Sequence, residues 1–168
     1  ENIQQENTFV NPLKTEGAQC WANYYDGWYY YMQEAVDRLE LWRTRDITDL
    51  EHAEHKVIWI PKDPSNAHHL WGPEIHPIAG KWYVYYAASD DNMDNHQLFV
   101  LENSSADPFE GEFELKGRIS TDKNNNWAIH PNVFEHRGEW YYIWAEKTGV
   151  GRQISNLYIG KMAAANKL

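Results

Sequence analysis

Three residues of this chain could together form a nucleophilic site. Cys20 supplies a thiol, His130 an imidazole that could take its proton, and Gln19 an amide that could donate to an oxyanion. Alternatively, Cys20 is a small buried filler and His130 is a polar residue with ordinary hydrogen-bond partners. The residue types leave both interpretations open, and the pH at which Cys20 is alkylated would separate them.

Two glutamates extend this set. Glu34 and Glu146 end two aromatic segments, and we expect them to occupy equivalent positions in those segments. With His130, the two carboxylates could hold a metal ion or form an acid–base set. Alternatively, they are solvated charges at the rim of a cleft.

A third group lies around the sequence Trp-Gly-Pro-Glu. The indole of Trp71 could line a sugar-binding cleft, or it could simply cap a strand. Glu74 is predicted to be a buried hydrogen-bond partner that braces neighbouring elements, because a buried carboxylate requires such partners. A catalytic role for Glu74 is the alternative. His69 could line the mouth of the cleft or lie in a connecting loop.

The elements that must position these residues are three similar β-hairpins. Each hairpin has a turn glycine followed by an aromatic, β-branched segment, and these segments span residues 28–31, 81–86 and 139–144. The turn glycines are Gly27, Gly80 and Gly138. The residue eight positions before the glycine is Gln19, Gly72 or His130. We therefore predict that these three residues face one axis at the same height.

Further segments repeat along the chain. A hydrophobic segment recurs at a constant interval of 59 residues, at 39–42, 98–101 and 157–160, and a fourth segment appears at 56–60 and 113–117. Four-stranded antiparallel units at this spacing are typical of β-propeller blades. We predict one all-β, partial propeller domain with blades at about 17–62, 67–120 and 126–168, the last without its fourth strand.

Three blades are too few to close a ring, and the open edges would favour aggregation. We therefore expect a second polypeptide, or another copy of this chain, to supply the remaining blades. A monodisperse monomer in light scattering would contradict this expectation.

Composition excludes some classes of partner and favours one class of ligand. A net charge of −10 argues against nucleic-acid and anionic-membrane partners, which require a basic face. Nine Trp and eleven Tyr suit a carbohydrate ligand, whose sugar rings stack on aromatic side chains. The single cysteine excludes an internal disulfide, and no apolar run is long enough to span a membrane. Residues 1–16 lack the features of a signal peptide, so we expect a cytosolic or already processed chain.

The motifs resemble the first three blades of family 43 glycoside hydrolases over residues 10–162. The resemblance is carried by 17–21 (GAQCW), 71–76 (WGPEIH) and 127–130 (WAIH), each at the expected distance from its hairpin. It implies a five-bladed propeller that cleaves arabinose- or xylose-containing glycans with inversion. It also implies a secreted or periplasmic location and no cofactor, although a metal ion near the propeller axis would be compatible with it.

The resemblance also shows departures at the implied catalytic positions. It places the general base at Gln19, where the family has Asp, and an Asp that tunes the acid's pKa at His130. Cys20 stands where Pro is usual, and Gly72 replaces Ala. The implied acid belongs to a fourth blade. Because Gln cannot accept a proton near neutral pH, we expect hydrolysis to be weak or absent. This clustering of changes indicates either a non-catalytic relative or a redesigned pocket. The alternative to an impaired hydrolase is a split-propeller assembly module, or a non-catalytic carbohydrate-binding fragment, that pairs with a complementary chain.

Overall fold

The computed structural model describes residues 8–121, 126–147 and 155–168, and these residues form three antiparallel β-sheets. The first sheet has the order β1-β2-β3-β4. Its strands are β1 (Trp21–Tyr25), β2 (Trp28–Met32), β3 (Leu39–Thr44) and β4 (Glu54–Trp59).

The second and third sheets repeat this meander. The second comprises β5 (His68–Ile78), β6 (Lys81–Ser89), β7 (Gln97–Asn103) and β8 (Glu114–Arg118). The third comprises β9 (Ala128–His136), β10 (Glu139–Glu146) and β11 (Asn156–Lys161). The prediction of an all-β chain with propeller blades is confirmed, and the third sheet has three strands within the described residues.

The hairpin turns fix the register of each inner strand. Both central residues of each turn have positive φ, as at Ala79 (50°) and Gly80 (78°), which is the pattern of a two-residue type I′ turn. Arg137 and Gly138 adopt the same pair of conformations. Because a turn of fixed length pins the pairing of its two strands, residues at equal distance from the glycines reach equivalent places.

Two layers of apolar side chains hold the three sheets together. Met32 and Leu41 pack against Ile75 and Tyr86 between the first and second sheets. The layer between the second and third sheets is built from Tyr85, Val100, Val133, Tyr142 and Trp144. The second sheet is therefore buried on both faces, as the aromatic and β-branched composition of β6 predicts.

Helical structure is limited to three short 3₁₀ segments within the described residues: Ile47–His52, Pro64–Asn66 and Met93–Asn95. An Asp or Asn side chain caps each of them at its first turn. In the part of the chain that the structure describes, no helix is long and apolar enough to cross a membrane.

Candidate functional site

The three axial residues come together, as their spacing predicts. A Cβ atom placed on Gly72 would lie 3.5 Å from Nδ1 of His130 and 3.7 Å from Oε1 of Gln19. All three residues have left-handed backbone conformations, with φ of 45° at Gln19, 55° at Gly72 and 54° at His130. The repeat therefore places equivalent residues of the three sheets at one point.

A bulge in the inner strand accompanies these conformations in the second and third sheets. In the second sheet, Trp71 pairs with Ala87 and Glu74 with Tyr85, so two residues of β5 oppose one of β6. The same shift interrupts the pairing of β9 with β10 between Ile143 and Ala145, and His130 lies in it. The bulges bring the backbone of Gly72 and the side chain of His130 to the axis.

A pocket of about 260 Å³ opens at this point. It is lined by Gln19, Cys20, Trp21, Gly72, Glu74, His130, Pro131 and Asn132. Sequence reasoning missed Trp21 and Asn132 as lining residues. The signal was available, because Trp21, Glu74 and Asn132 each lie six residues before a turn glycine.

Glu74 is the one carboxylate among the described residues that line the pocket, and its oxygens are engaged. Oε1 accepts a hydrogen bond from Asn132 Nδ2 at 2.7 Å, and Oε2 accepts one from the backbone N–H of Val133 at 3.1 Å. Nε2 of His76 lies 2.9 Å from Oε2, and the Trp21 ring packs on His76 at 4.9 Å. Glu74 therefore joins the second sheet to the third beneath the pocket, with the first sheet adjoining through Trp21.

Gln19, Cys20 and His130 share the pocket wall. Oε1 of Gln19 is buried and has no hydrogen-bond partner among the described residues. Cys20 and His130 are both exposed. The nucleophile–base pair stays a prediction.

The two predicted rim glutamates lie elsewhere. Glu34 lines a separate, charged pocket of about 280 Å³ that also includes Lys14 and Arg38. Glu146 is only 3% exposed and accepts hydrogen bonds from Trp144 Nε1 at 2.6 Å and Asn126 Nδ2 at 3.2 Å. Neither glutamate lines the axial pocket. No group of three or more His, Cys, Asp or Glu side chains that could hold a metal ion occurs among the described residues.

The pairing register shows that Glu34 and Glu146 are not equivalent, contrary to the sequence expectation. The Glu34 backbone N–H donates to Ala18 O at 3.0 Å. In the third sheet, the residue that pairs with Ile129 is Ala145. Ala18 and Ile129 each lie nine residues before their turn glycine, so Glu34 corresponds to Ala145. Glu146 lies one residue further on, and successive strand residues point to opposite faces.

Trp71 and His69 belong to an aromatic cluster beside the pocket. The Trp71 indole stacks on His96, with ring centroids 4.0 Å apart and planes 22° apart. His96 is fully buried, and its ring nitrogens lie 2.7 Å from Met93 O and 3.0 Å from His69 O. Burial lowers the pKa of His96, against the opposing effect of these two carbonyl contacts. Sequence reasoning missed His96, which lies in a polar loop without periodicity.

The arrangement suits a neutral, hydroxyl-rich ligand. The pocket wall combines the Trp21 ring with the amides of Gln19 and Asn132 and the imidazole of His130. Amides and imidazoles pair with hydroxyl groups, and indole faces pack on sugar rings.

Comparisons with known sequences agree with this geometry. An extracellular exo-α-(1→5)-L-arabinofuranosidase of Streptomyces chartreusis is 36% identical over 160 residues, which make up 92% of this chain and 48% of that protein. The α-L-arabinofuranosidase 43 of Humicola insolens is 34% identical over 146 residues, 83% of this chain and 30% of that protein. The chain thus spans about half, or less, of the length of these relatives.

Solved structures give the same picture. The crystal structure of an α-L-arabinofuranosidase from Lactobacillus brevis superposes with a TM-score of 0.86 at 31% identity, covering 95% of this chain and 53% of that one. An endo-arabinase from Bacteroides thetaiotaomicron has a TM-score of 0.72 at 12% identity over 93% of this chain and 54% of that one, a likeness of fold alone. The model of the glycosyl hydrolases family 43 matches residues 9–168. Since that match covers nearly the whole chain, the protein belongs to glycosyl hydrolases family 43.

Proposed function

We propose that this chain is the pocket-forming part of a family 43 propeller that binds arabinofuranose units but hydrolyses them weakly or not at all. The observation that carries the proposal is the pair Gln19 and His130 at the two axial positions, opposite Gly72. These are the positions at which the resemblance implies a general base and an Asp that tunes the acid.

Inverting hydrolysis requires one carboxylate to activate water and one carboxylic acid to protonate the leaving oxygen. An amide at residue 19 cannot take the proton of the attacking water. Glu74 is an unsuitable substitute, because its oxygens already accept hydrogen bonds from Asn132 and Val133 and face His76. The aromatic and amide groups that line the pocket support sugar binding, whereas the amide at residue 19 does not support proton transfer.

The ligand class follows from the relatives and from the lining. The Streptomyces chartreusis relative is described as an exo-α-(1→5)-L-arabinofuranosidase. The polar groups that line the pocket with Trp21 include two amides, an imidazole and the hydrogen-bonded Glu74 carboxylate, and such groups suit the hydroxyls of a pentofuranose. An α-(1→5)-linked arabino-oligosaccharide is accordingly the proposed ligand.

The test measures binding and hydrolysis on the same sample. Calorimetry with α-(1→5)-arabinotriose should detect binding. Release of arabinose should be at least about 100-fold slower than in an active relative, the lower end of what general-base catalysis contributes. Gln19→Asp should raise turnover where a general acid is present, whereas Gln19→Asn, of the same length but without a carboxylate, should not. Turnover by the unaltered protein at the rate of its relatives would contradict the proposal.

We also propose that further blades cover the outer face of the third sheet. The register places Phe134, Tyr141, Ile143, Leu157 and Ile159 on that face. Leu157 is 80% exposed and Ile159 is 60% exposed. A contiguous apolar sheet face of this kind is typical of an interaction surface.

The proposed occupant is a blade from a second polypeptide or from another copy of this chain, consistent with relatives that are about twice as long. Intact-mass measurement of the purified sample, with light scattering, distinguishes the two sources. A second mass in the intact-mass spectrum would identify a partner chain. A single intact mass of 19.8 kDa, with a light-scattering mass that is a multiple of it, would identify self-association. A monodisperse monomer of this mass would contradict both.

A further inference from the structure

We infer that Gly72 determines ligand specificity, because it leaves a recess between Gln19 and His130 that admits one hydroxyl group of a neutral sugar. This inference rests on the proposed function and names the feature of the ligand that the axial pocket recognises.

The recess exists because one of three equivalent positions has no side chain. Gln19 and His130 carry side chains at φ values of 45° and 54°, close to the 55° of Gly72. The left-handed backbone at this place therefore does not by itself require glycine. What glycine supplies at residue 72 is space, since a Cβ there would stand 3.5 Å from His130 Nδ1 and 3.7 Å from both Gln19 Oε1 and His130 Cα.

The recess also has unmet hydrogen-bonding capacity. Gln19 Oε1 is buried without a hydrogen-bond partner among the described residues, and an unpaired buried acceptor is destabilising. A hydroxyl group above Gly72 could donate to that oxygen. The same hydroxyl could also exchange a hydrogen bond with Nδ1 of His130, because a hydroxyl both donates and accepts.

This chemistry favours neutral sugars over acidic ones. An ionised uronate carboxylate only accepts hydrogen bonds, so it leaves Gln19 Oε1 unpaired. It would also enter a pocket that already contains the Glu74 carboxylate. We therefore expect arabino-oligosaccharides to bind and oligogalacturonides to be rejected.

The experiment fills the recess with one methyl group. Gly72→Ala should weaken the binding of α-(1→5)-arabinotriose by about tenfold or more in calorimetry, since every tenfold corresponds to about 1.4 kcal/mol. The matched control is Gly80→Ala. Gly80 also has positive φ (78°), but a Cβ there would meet nothing within 4 Å. This control imposes comparable backbone strain away from the pocket and should change affinity by less than about twofold.

A second measurement changes the ligand and requires no folded Gly72 variant. Among arabinotrioses that each lack one hydroxyl, a single analogue should lose about tenfold in affinity for the unaltered protein. That analogue should bind Gln19→Leu and the unaltered protein equally well, because it lacks the hydroxyl that would donate to Gln19 Oε1. Equal losses for all analogues, or unchanged affinity of Gly72→Ala, would overturn the recess while leaving the glycan site intact. Absence of arabinotriose binding to the unaltered protein would overturn both.

Discussion

Leu98 and Leu157 occupy the same place in successive repeats, 59 residues apart, yet their surroundings are opposite. Leu98 in β7 is 1% exposed, whereas Leu157 in β11 is 80% exposed. Val100 and Ile159 differ in the same way, at 0% and 60%. The third sheet covers the residues of β7, and no described residues cover those of β11. The repeat therefore encodes the strands, whereas the burial of each strand residue depends on the neighbouring sheet.

The matched pair Leu98→Ala and Leu157→Ala gives the largest expected contrast. Leu98→Ala removes a fully packed side chain and should lower the free energy of unfolding by about 2–5 kcal/mol. Leu157→Ala should change it by no more than about 0.5 kcal/mol while the face is open. Denaturant titration of both variants checks this. Equal losses would mean that another blade covers β11 in the sample.

The hydrogen bonds of Glu74 between the second and third sheets should give the next largest effect on stability. Glu74→Gln replaces the carboxylate that Asn132, Val133 and His76 share with a neutral amide, which has a single acceptor oxygen. Because hydrogen bonds to a carboxylate contribute more than those to a neutral amide, stability should fall by about 1–3 kcal/mol. Glu114→Gln, on an exposed position of β8, is the control and should have no measurable effect. A neutral result at Glu74 would show that the bonding between the sheets is dispensable.

The buried His96, beside the junction of the second and third sheets, is expected to make stability depend on pH. Burial lowers its pKa in the folded state, so between that value and the ordinary pKa the unfolded chain binds more protons. Stability should therefore fall as the pH falls below about 6.5, by at most about 1.4 kcal/mol per pH unit for one proton. Unfolding curves of the unaltered protein and of His96→Gln between pH 7 and 5 test this. Parallel profiles would show that His96 does not contribute.

Two surface ion pairs should give the smallest effect. Lys81–Glu102 in the second sheet and Lys161–Glu139 in the third both have contacts of 2.9 Å. Lys81→Ala should cost about 0.2–1 kcal/mol, because Glu102 also accepts from Tyr83 and is largely shielded. Lys161→Ala should be indistinguishable from the unaltered protein in the same unfolding assay, since both side chains of the Lys161–Glu139 pair are exposed. A larger loss at Lys161 would mean that this end of the third sheet is covered.

Much of the candidate site was also predictable. Counting back from the turn glycines brings Gln19, Gly72 and His130 together, and counting six residues back finds Trp21 and Asn132. The prediction failed at Glu34 and Glu146, because Glu34 lies seven residues after Gly27 and Glu146 lies eight after Gly138. Successive strand residues point to opposite faces, so this difference of one position separates the two side chains.

The sequence by itself determined the hairpins, their order and the family. Alternating apolar residues and type I′ turns act over a few residues, so they can be read from the chain directly. Only the tertiary structure decided that Gly72 opens a recess, that Glu74 joins two sheets and that His96 is buried beneath Trp71. These properties arise from contacts between residues far apart in the chain, and their geometry depends on bulges and packing that no single segment specifies.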